Sequence, residues 1–257
     1  MKKFFTTFIF FCLVLNASAQ NVVFKESFSR PKHLTYYALN HLGDVSTIIN
    51  NEITKTTTQR TFTFKEPFLG TVAFYDERNP LQQLVFYKNT RQIIILDNQL
   101  SIKDRWILSE NFPEIDVSYA ALTAQSTVWV FDEISKRWCI LSSEKEQPVF
   151  VSNPVVHYDF LTSSGNYAYW QSGTKVYGID IYGKLMKEQT LPENTRLLAI
   201  NGNKIAYQLN NTVFLFDTET NTKEPLKEIE TTVEKAFFNA GNISILTSDK
   251  LFLYNIN

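Results

Sequence analysis

Short runs of apolar and β-branched residues, separated by polar turns, recur through most of the chain. No long segment repeats apolar residues at positions i, i+3, i+4 and i+7, so the pattern does not favour amphipathic helices. The runs are instead bounded by Asn, Gly, Ser and Asp, which tolerate the positive φ angles of hairpin turns. We therefore predict an all-β fold built from short antiparallel strands.

The same strand motif recurs five times and ends in Asp, or in Asn in the last copy. The five copies are RQIIILD (91–97), STVWVFD (126–132), TKVYGID (174–180), NTVFLFD (211–217) and DKLFLYN (249–255). An apolar run and a polar turn precede each copy, and a turn and a further strand follow it, so we assign the motif to the third strand of a four-stranded unit. Four antiparallel strands about every 40 residues form the blade of a β-propeller. A sandwich or jelly roll would not repeat one hairpin at a nearly constant interval.

The chain length and its two ends predict six blades. The segment 43–66 reads as a degenerate sixth copy that lacks the usual Asp. The last copy is followed by too few residues for a fourth strand, whereas the β-rich run NVVFKESF (21–28) precedes the first blade without a partner. An open ring would leave an exposed strand edge. We predict that residues 21–28 supply the outer strand of the last blade.

The repeated V-x-V-F-D hairpin resembles the YVTN/WD40-like β-propeller superfamily. The segment NPLQQLVFYKNTRQIIILDNQLS (79–101) is similar to segments of exported propeller proteins of Bacteroidota. The resemblance extends over the whole predicted domain and implies the propeller fold. It implies no single activity, because this superfamily includes scaffolds, ligand receptors and enzymes.

The N-terminal residues 1–19 have the features of a secretory signal peptide. Two lysines precede the apolar run Phe4–Leu15, and the small residues at 17–19 predict cleavage before Gln20. The apolar run is shorter than the ~20 residues that a membrane-spanning helix needs. We expect export by a Sec-type pathway to the periplasm or beyond, with residues 20–257 forming one propeller domain and no transmembrane segment.

Charge and cysteine content exclude some classes of function. Removal of the predicted signal peptide removes two of the 25 Lys and Arg residues and leaves all 26 Asp and Glu residues. The mature chain is therefore slightly acidic, which does not favour a nucleic-acid partner. Cys139 is the one cysteine that remains, so no intramolecular disulfide is possible. We interpret it, like Trp106 and Trp138, as a packing residue of outer strands, and the tryptophans as contacts between blades.

Candidate chemistry is confined to polar residues near the inner strands. We predict that Asp76, Glu77, Asp116, His157 and Asp159 line or approach the central channel. His157 and Asp159 alternate along what we take to be the first strand of blade 4, which would place them on one face and permit acid–base chemistry. The alternative is a polar channel lining without chemistry.

The aspartates that end the repeated motifs have a different predicted role. They recur once per blade and should lie far apart, so we expect them to accept hydrogen bonds from the following turns. These residues are Asp97, Asp132, Asp180 and Asp217. The few His residues lack the spacing of a transition-metal site, so we predict no catalytic residue, metal or cofactor.

The sequence thus predicts an exported, non-catalytic propeller that acts as a binding platform in the bacterial envelope. Its partner would be another envelope protein or a ligand. The alternative is a small hydrolase or lyase with its site in the channel. A divalent ion could then assist the reaction, as in six-bladed lactonases, held by carboxylates such as Asp76, Glu77, Asp116 and Asp159.

Overall fold

Antiparallel strands account for most of the molecule. The computed structural model describes residues 22–40, 43–79, 81–144, 147–239 and 241–256. These residues form six four-stranded sheets, which are the blades of a six-bladed β-propeller. The predicted fold class and the number of blades are therefore confirmed. The predicted signal peptide lies outside the described residues.

The strands follow one another blade by blade. The described part of the chain begins with β1 (Val22–Ser29). Blade 1 contains β2 (Leu34–Leu39), β3 (Val45–Ile49), β4 (Glu52–Thr56) and β5 (Thr61–Phe64). Blade 2 contains β6 (Phe74–Asp76), β7 (Gln83–Tyr87), β8 (Gln92–Leu96) and β9 (Ile102–Ile107), followed by the single helical turn α1 (Leu108–Asn111). Blade 3 contains β10 (Val117–Leu122), β11 (Val128–Asp132), β12 (Arg137–Leu141) and β13 (Val149–Phe150).

The second half of the ring repeats this order. Blade 4 contains β14 (Phe160–Ser164), β15 (Tyr167–Ser172), β16 (Lys175–Asp180) and β17 (Leu185–Thr190). Blade 5 contains β18 (Thr195–Asn201), β19 (Lys204–Leu209), β20 (Thr212–Asp217) and β21 (Thr222–Pro225). Blade 6 contains β22 (Val233–Asn239), β23 (Asn242–Thr247) and β24 (Lys250–Ile256).

Strand β1 completes blade 6 and closes the ring. It pairs antiparallel with β24, in a register that runs from Val22 opposite Ile256 to Ser29 opposite Lys250. The sheet order is β1-β24-β23-β22, which confirms the predicted closure by the N-terminal strand.

Arg30 fixes the joint between blades 6 and 1. Its guanidinium donates to the carbonyl oxygen of Thr247 at 2.6 Å and lies 2.5 Å from the Glu234 carboxylate, both in blade 6. It also donates through Nε to the carbonyl oxygen of Leu34 in blade 1 at 3.0 Å. Charge-assisted hydrogen bonds of this kind are stronger than neutral ones, so Arg30 ties the last blade to the first.

The assignment of STVWVFD to a third strand is wrong. In blade 3 this motif forms β11, the second strand, whereas the matching NTVFLFD forms β20, the third strand of blade 5. The third strand of blade 3 is β12, so Trp138 and Cys139 do not lie on an outer strand, although Trp106 in β9 does. The error arises because a second strand and a third strand have the same sequence pattern when an Asp-anchored turn follows them. The segment YAAL of β10 also fits either a first or a second strand.

The predicted turn-anchoring role of the aspartates is confirmed. Asp97 Oδ1 accepts hydrogen bonds from the backbone amides of Gln99 at 2.8 Å and Ser101 at 2.9 Å. Asp132, Asp180 and Asp217 each accept bonds from backbone amides of the turn that follows them.

Apolar side chains fill the spaces between neighbouring blades. One core cluster joins blades 2 and 3 and includes Trp106 and Cys139, and another joins blades 3 and 4 and includes Trp138. Trp138 packs edge-to-face on Trp129, with ring centroids 6.0 Å apart. Burial raises the pKa of the Cys139 thiol well above its usual range, as expected for a packing cysteine. The predicted packing of the tryptophans between blades is confirmed.

Deletion of residues 21–28 should destabilise the whole domain. The deletion removes the pairing with β24, uncovers the apolar edge of blade 6 and removes buried Val22. We expect the melting temperature to fall by roughly 10 °C or more in differential scanning calorimetry. The control is Lys25→Ala combined with Ser27→Ala, which truncates two exposed side chains of β1 and retains the strand. A wild-type melting temperature for the deletion variant would show that β1 does not support the ring.

Candidate functional site

The inner strands of all six blades surround a cavity of about 580 Å³ on the propeller axis. Because successive blades have the same orientation, the inner strands all begin at one end of this channel and end at the other. Aromatic side chains form much of the wall; they are Tyr36, Phe74, Tyr75, Tyr119, Tyr158, Phe160, Phe237 and Phe238.

Aromatic rings contact one another in two groups, one across blades 6, 1 and 2 and one across blades 2 and 3. The ring of Tyr36 lies 4.5 Å from that of Phe237 and 5.0 Å from that of Tyr75, measured between centroids. The rings of Phe74 and Tyr119 are 4.6 Å apart. These edge-to-face and tilted arrangements are the ones that aromatic side chains prefer. The contacts hold the rings in place, so the wall is formed before any ligand enters.

The loop between β6 and β7 crosses the end of the channel at which the inner strands finish. Glu77 Oε1 accepts hydrogen bonds from Asn239 Nδ2 of blade 6 at 2.9 Å and from the Tyr36 hydroxyl of blade 1 at 3.3 Å. A second carboxylate oxygen accepts from the Tyr75 hydroxyl at 3.4 Å. Glu77 thus connects its own blade to blades 1 and 6.

Asp76, the last residue of β6, and Arg78 in the loop reach blades 3 and 4. Asp76 accepts a hydrogen bond from the backbone amide of Leu122 at 2.9 Å. Arg78 binds the Asp76 carboxylate in bidentate fashion, at 2.7 and 2.6 Å, and donates to the carbonyl oxygen of Ser163. The segment Asp76–Arg78 therefore contacts blades 1, 3, 4 and 6 across this end, which we call the closed end.

The carboxylates of Asp76 and Glu77 differ in their electrostatics. Burial disfavours the charge of Asp76, but the Arg78 guanidinium and several hydrogen bonds outweigh it and lower the pKa. Burial raises the pKa of Glu77 to about 7, against the opposing effects of hydrogen bonds from Ser46, Tyr36 and Tyr75 and the charge of Lys55. Glu77 therefore changes its charge near neutral pH.

The opposite end, which we call the open mouth, carries charged side chains of both signs. Glu133 pairs with Lys136 at 2.5 Å and accepts a hydrogen bond from the Tyr158 hydroxyl. Asp159 accepts a hydrogen bond from the backbone amide of Gly173 at 2.7 Å and lies 3.1 Å from the His157 ring.

The structure does not bring the five predicted site residues together. Asp76 lies at the closed end beside Glu77, whereas Asp159 lies at the open mouth. Asp116 is exposed before β10, and its backbone amide donates to Asp132 Oδ1 at 2.8 Å. His157 and Asp159 both precede β14, so their predicted position within that strand is wrong, although the His157 ring does lie beside Asp159.

The part of the chain that the structure describes contains no preformed metal site. No group of three or more His, Cys, Asp or Glu side chains in these residues is placed to hold a metal ion. The described residues also contain no helix long and apolar enough to cross a membrane.

Sequence reasoning missed Arg78 and the aromatic wall. Loop length does not single out Arg78, because six residues separate β6 from β7, five separate β2 from β3 and β10 from β11, and two separate β14 from β15 and β18 from β19. The aromatic residues carry no signal either. A strand residue that faces the channel and one that packs between blades are both apolar, and the sequence does not distinguish them.

Solved structures of several propeller proteins share this fold. A streptogramin B lyase superposes with a TM-score of 0.61 at 15% identity, over 89% of this chain and 81% of that one. The extracellular domain of the putative hybrid two component system BT4673 from B. thetaiotaomicron gives 0.55 at 9% identity, over 86% of this chain and 33% of that one. BamB from Moraxella catarrhalis gives 0.50 at 9% identity, over 91% and 100% of the two chains. These similarities establish the fold alone.

No family model matches the sequence, and no match was found among curated proteins. The chain shares its architecture with a lyase, with an extracellular domain and with BamB. Function therefore has to be argued from the channel itself.

Glu77→Gln should remove a pH dependence of stability. A carboxyl whose pKa is raised on folding stabilises the folded state below its unfolded pKa, and this contribution is lost as the pH rises through about 7. We expect the wild-type free energy of unfolding to fall by about 1–3 kcal/mol between pH 5 and pH 8 because of this group, and the variant to lack that fall. Urea denaturation at each pH measures both.

The control for this experiment is Glu110→Gln, at an exposed carboxyl outside the channel. It should retain the wild-type pH dependence. An unchanged profile in Glu77→Gln would show that Glu77 does not titrate near neutrality.

Proposed function

We propose that the protein is an exported, non-catalytic binding protein of the bacterial cell envelope, and that its ligand enters the central channel. The observation that carries this proposal is the cavity of about 580 Å³, which is lined largely by aromatic side chains and which the segment Asp76–Arg78 crosses at one end. Binding pockets for small molecules are typically about 300–1,000 Å³ and mostly apolar, with a few polar groups.

The construction of the channel favours binding to a preformed site. Its wall belongs to β-strands that are hydrogen-bonded within each blade, and the aromatic rings hold one another in place. A ligand would therefore order few side chains on entry, which lowers the entropic cost of binding.

Export and a protein partner are further parts of this proposal. The sequence features of residues 1–19 support export to the periplasm or beyond, and an extracellular domain of similar fold is compatible with that location. We propose another envelope protein as the partner. Apolar side chains at the outer edges of blades 3 and 4 are exposed, as in surfaces that bind other proteins; they are Val149, Phe150, Tyr182, Leu185 and Met186.

Filling the channel should abolish ligand binding without unfolding the protein. Ala73 lines the cavity and has an exposed side chain, so Ala73→Trp adds an indole to the cavity and not to the core. The probe is N-phenyl-1-naphthylamine, an uncharged fluorophore that becomes bright in apolar sites. We expect the wild type to bind it and Ala73→Trp to bind it at least about tenfold more weakly, since the apolar contact area is lost.

Thr71→Trp is the matched control, because it adds the same ring two residues earlier at an exposed position outside the cavity lining. It should bind the probe as the wild type does. Equal probe binding by all three proteins would place binding outside the channel and contradict the proposal, and so would absence of binding by the wild type.

A channel enzyme is the alternative that one observation favours. The His157 ring lies 3.1 Å from Asp159 at the open mouth, which is a geometry that can orient a general base, and a streptogramin B lyase has a similar fold. Incubation with streptogramin B tests it, with loss of the intact compound measured by mass spectrometry. We expect no turnover. Turnover that His157→Gln abolishes would replace the binding function with a lyase.

A further inference from the structure

Positive charge is concentrated at one side of the open mouth, where blades 5, 6 and 1 meet. The Arg196 guanidinium of blade 5 donates to the carbonyl oxygens of Val233 at 2.5 Å and Glu234 at 3.1 Å in blade 6. Lys235, which follows Glu234 in β22, donates from Nζ to the Thr35 carbonyl oxygen of blade 1 at 3.5 Å. Arg196 and Lys235 both line the cavity.

One carboxylate, that of Glu234, lies among the cations Arg30, Arg196 and Lys235, and it is already paired. Glu234 is bound by Arg30 at 2.5 Å. In the described parts of the chain, no carboxylate forms an ion pair with Arg196 or Lys235. The group therefore holds three cations, Arg30, Arg196 and Lys235, against one carboxylate. Burial and the nearby charge of Arg30 lower the pKa of Lys235, and the charge of Glu234 partly opposes this effect.

Two of the other carboxylates of the lining are neutralised by their own cations, Asp76 by Arg78 at the closed end and Glu133 by Lys136. Asp159 accepts a hydrogen bond from the Gly173 amide beside His157 and lines a smaller depression with Glu193 and Arg196, but it forms no ion pair with Arg196. Arg196 and Lys235 therefore have no ion-paired carboxylate within the described chain.

The cationic group is continuous with the aromatic wall. Lys235 and Phe237 are two residues apart in β22, after the irregularity at the start of that strand, so they point to the same face. The Phe237 ring contacts Tyr36 with centroids 4.5 Å apart. A ligand that reaches Lys235 with a charged group would place its body against these rings.

From this geometry we infer that the channel binds a small amphipathic anion, with an aromatic body in the cavity and one carboxylate or sulfonate at Arg196 and Lys235. The inference rests on the proposed binding function and adds the ligand class. The anion would replace the missing counter-ion, and the ring would contact the aromatic wall. Such an arrangement discriminates against cations and against ligands without charge.

Two matched fluorophores test the ligand class. The probe 8-anilinonaphthalene-1-sulfonate has the same anilinonaphthalene body as N-phenyl-1-naphthylamine and adds one sulfonate. We expect the wild type to bind the sulfonate about five- to tenfold more tightly than the uncharged compound, as for a charge-assisted contact. Lys235→Gln should reduce this preference, because one of the two cations that contact the sulfonate is lost while Arg196 remains.

Lys103→Gln is the control, at an exposed lysine on the outer strand β9. It should bind both probes as the wild type does, and Ala73→Trp should weaken both. The ligand class is wrong if the wild type binds the uncharged probe in the channel but shows no preference for the sulfonate. It is also wrong if Lys235→Gln retains the full preference. In both cases the binding function stands. If neither probe binds in the channel, both proposals fail.

Discussion

Closure of the ring by one strand pairing is the constraint on which the rest of the structure depends. Every other blade is continuous in sequence, but blade 6 is completed by β1 from the opposite end of the chain. Each blade packs its apolar side chains only on its neighbours, so the six blades hold a fixed position only as a closed ring. The Arg30 contacts with Thr247, Glu234 and Leu34 reinforce the same joint.

The channel depends directly on that joint. The contact of Phe237 in blade 6 with Tyr36 in blade 1 spans it, and so do the hydrogen bonds of Glu77 with Asn239 and Tyr36. The cations at the open mouth are also arranged around it. A ring that opened between blades 6 and 1 would lose the aromatic wall, part of the closed end and the positive side of the mouth together.

Much of the fold could be predicted from the sequence because its signals are local. Alternating apolar residues, turn residues and the Asp that accepts turn amides all act within one hairpin, and their repetition gives the number of blades. The same locality explains the error in blade 3. STVWVFD and NTVFLFD share the chemistry of a strand followed by an anchored turn, and that chemistry does not specify whether the strand is second or third.

The site could be predicted only in part because it is made of contacts between distant residues. Asp76 and Glu77 were identifiable as polar residues at the end of an inner strand. Their partners were not, since Glu77 meets Asn239 and Arg78 meets Ser163 only once the ring is closed. The charge imbalance at the mouth is also invisible in the sequence, which has nearly equal numbers of acids and bases. It arises because Glu234 pairs with Arg30, whereas Arg196 and Lys235 form no ion pair within the described chain.

The pairing of Val22 with Ile256 also has a consequence for the rate and order of folding. Contacts between residues so far apart in sequence carry a large loop-closure entropy and slow the folding of β-rich proteins. The five blades made from consecutive strands can form from nearby residues, whereas β1 can pair only after β24 is available. Until then β24 has a free edge, which is the kind of surface through which partly folded chains aggregate. The first strand of the chain is thus expected to be among the last to dock, and aggregation during folding should begin at blade 6.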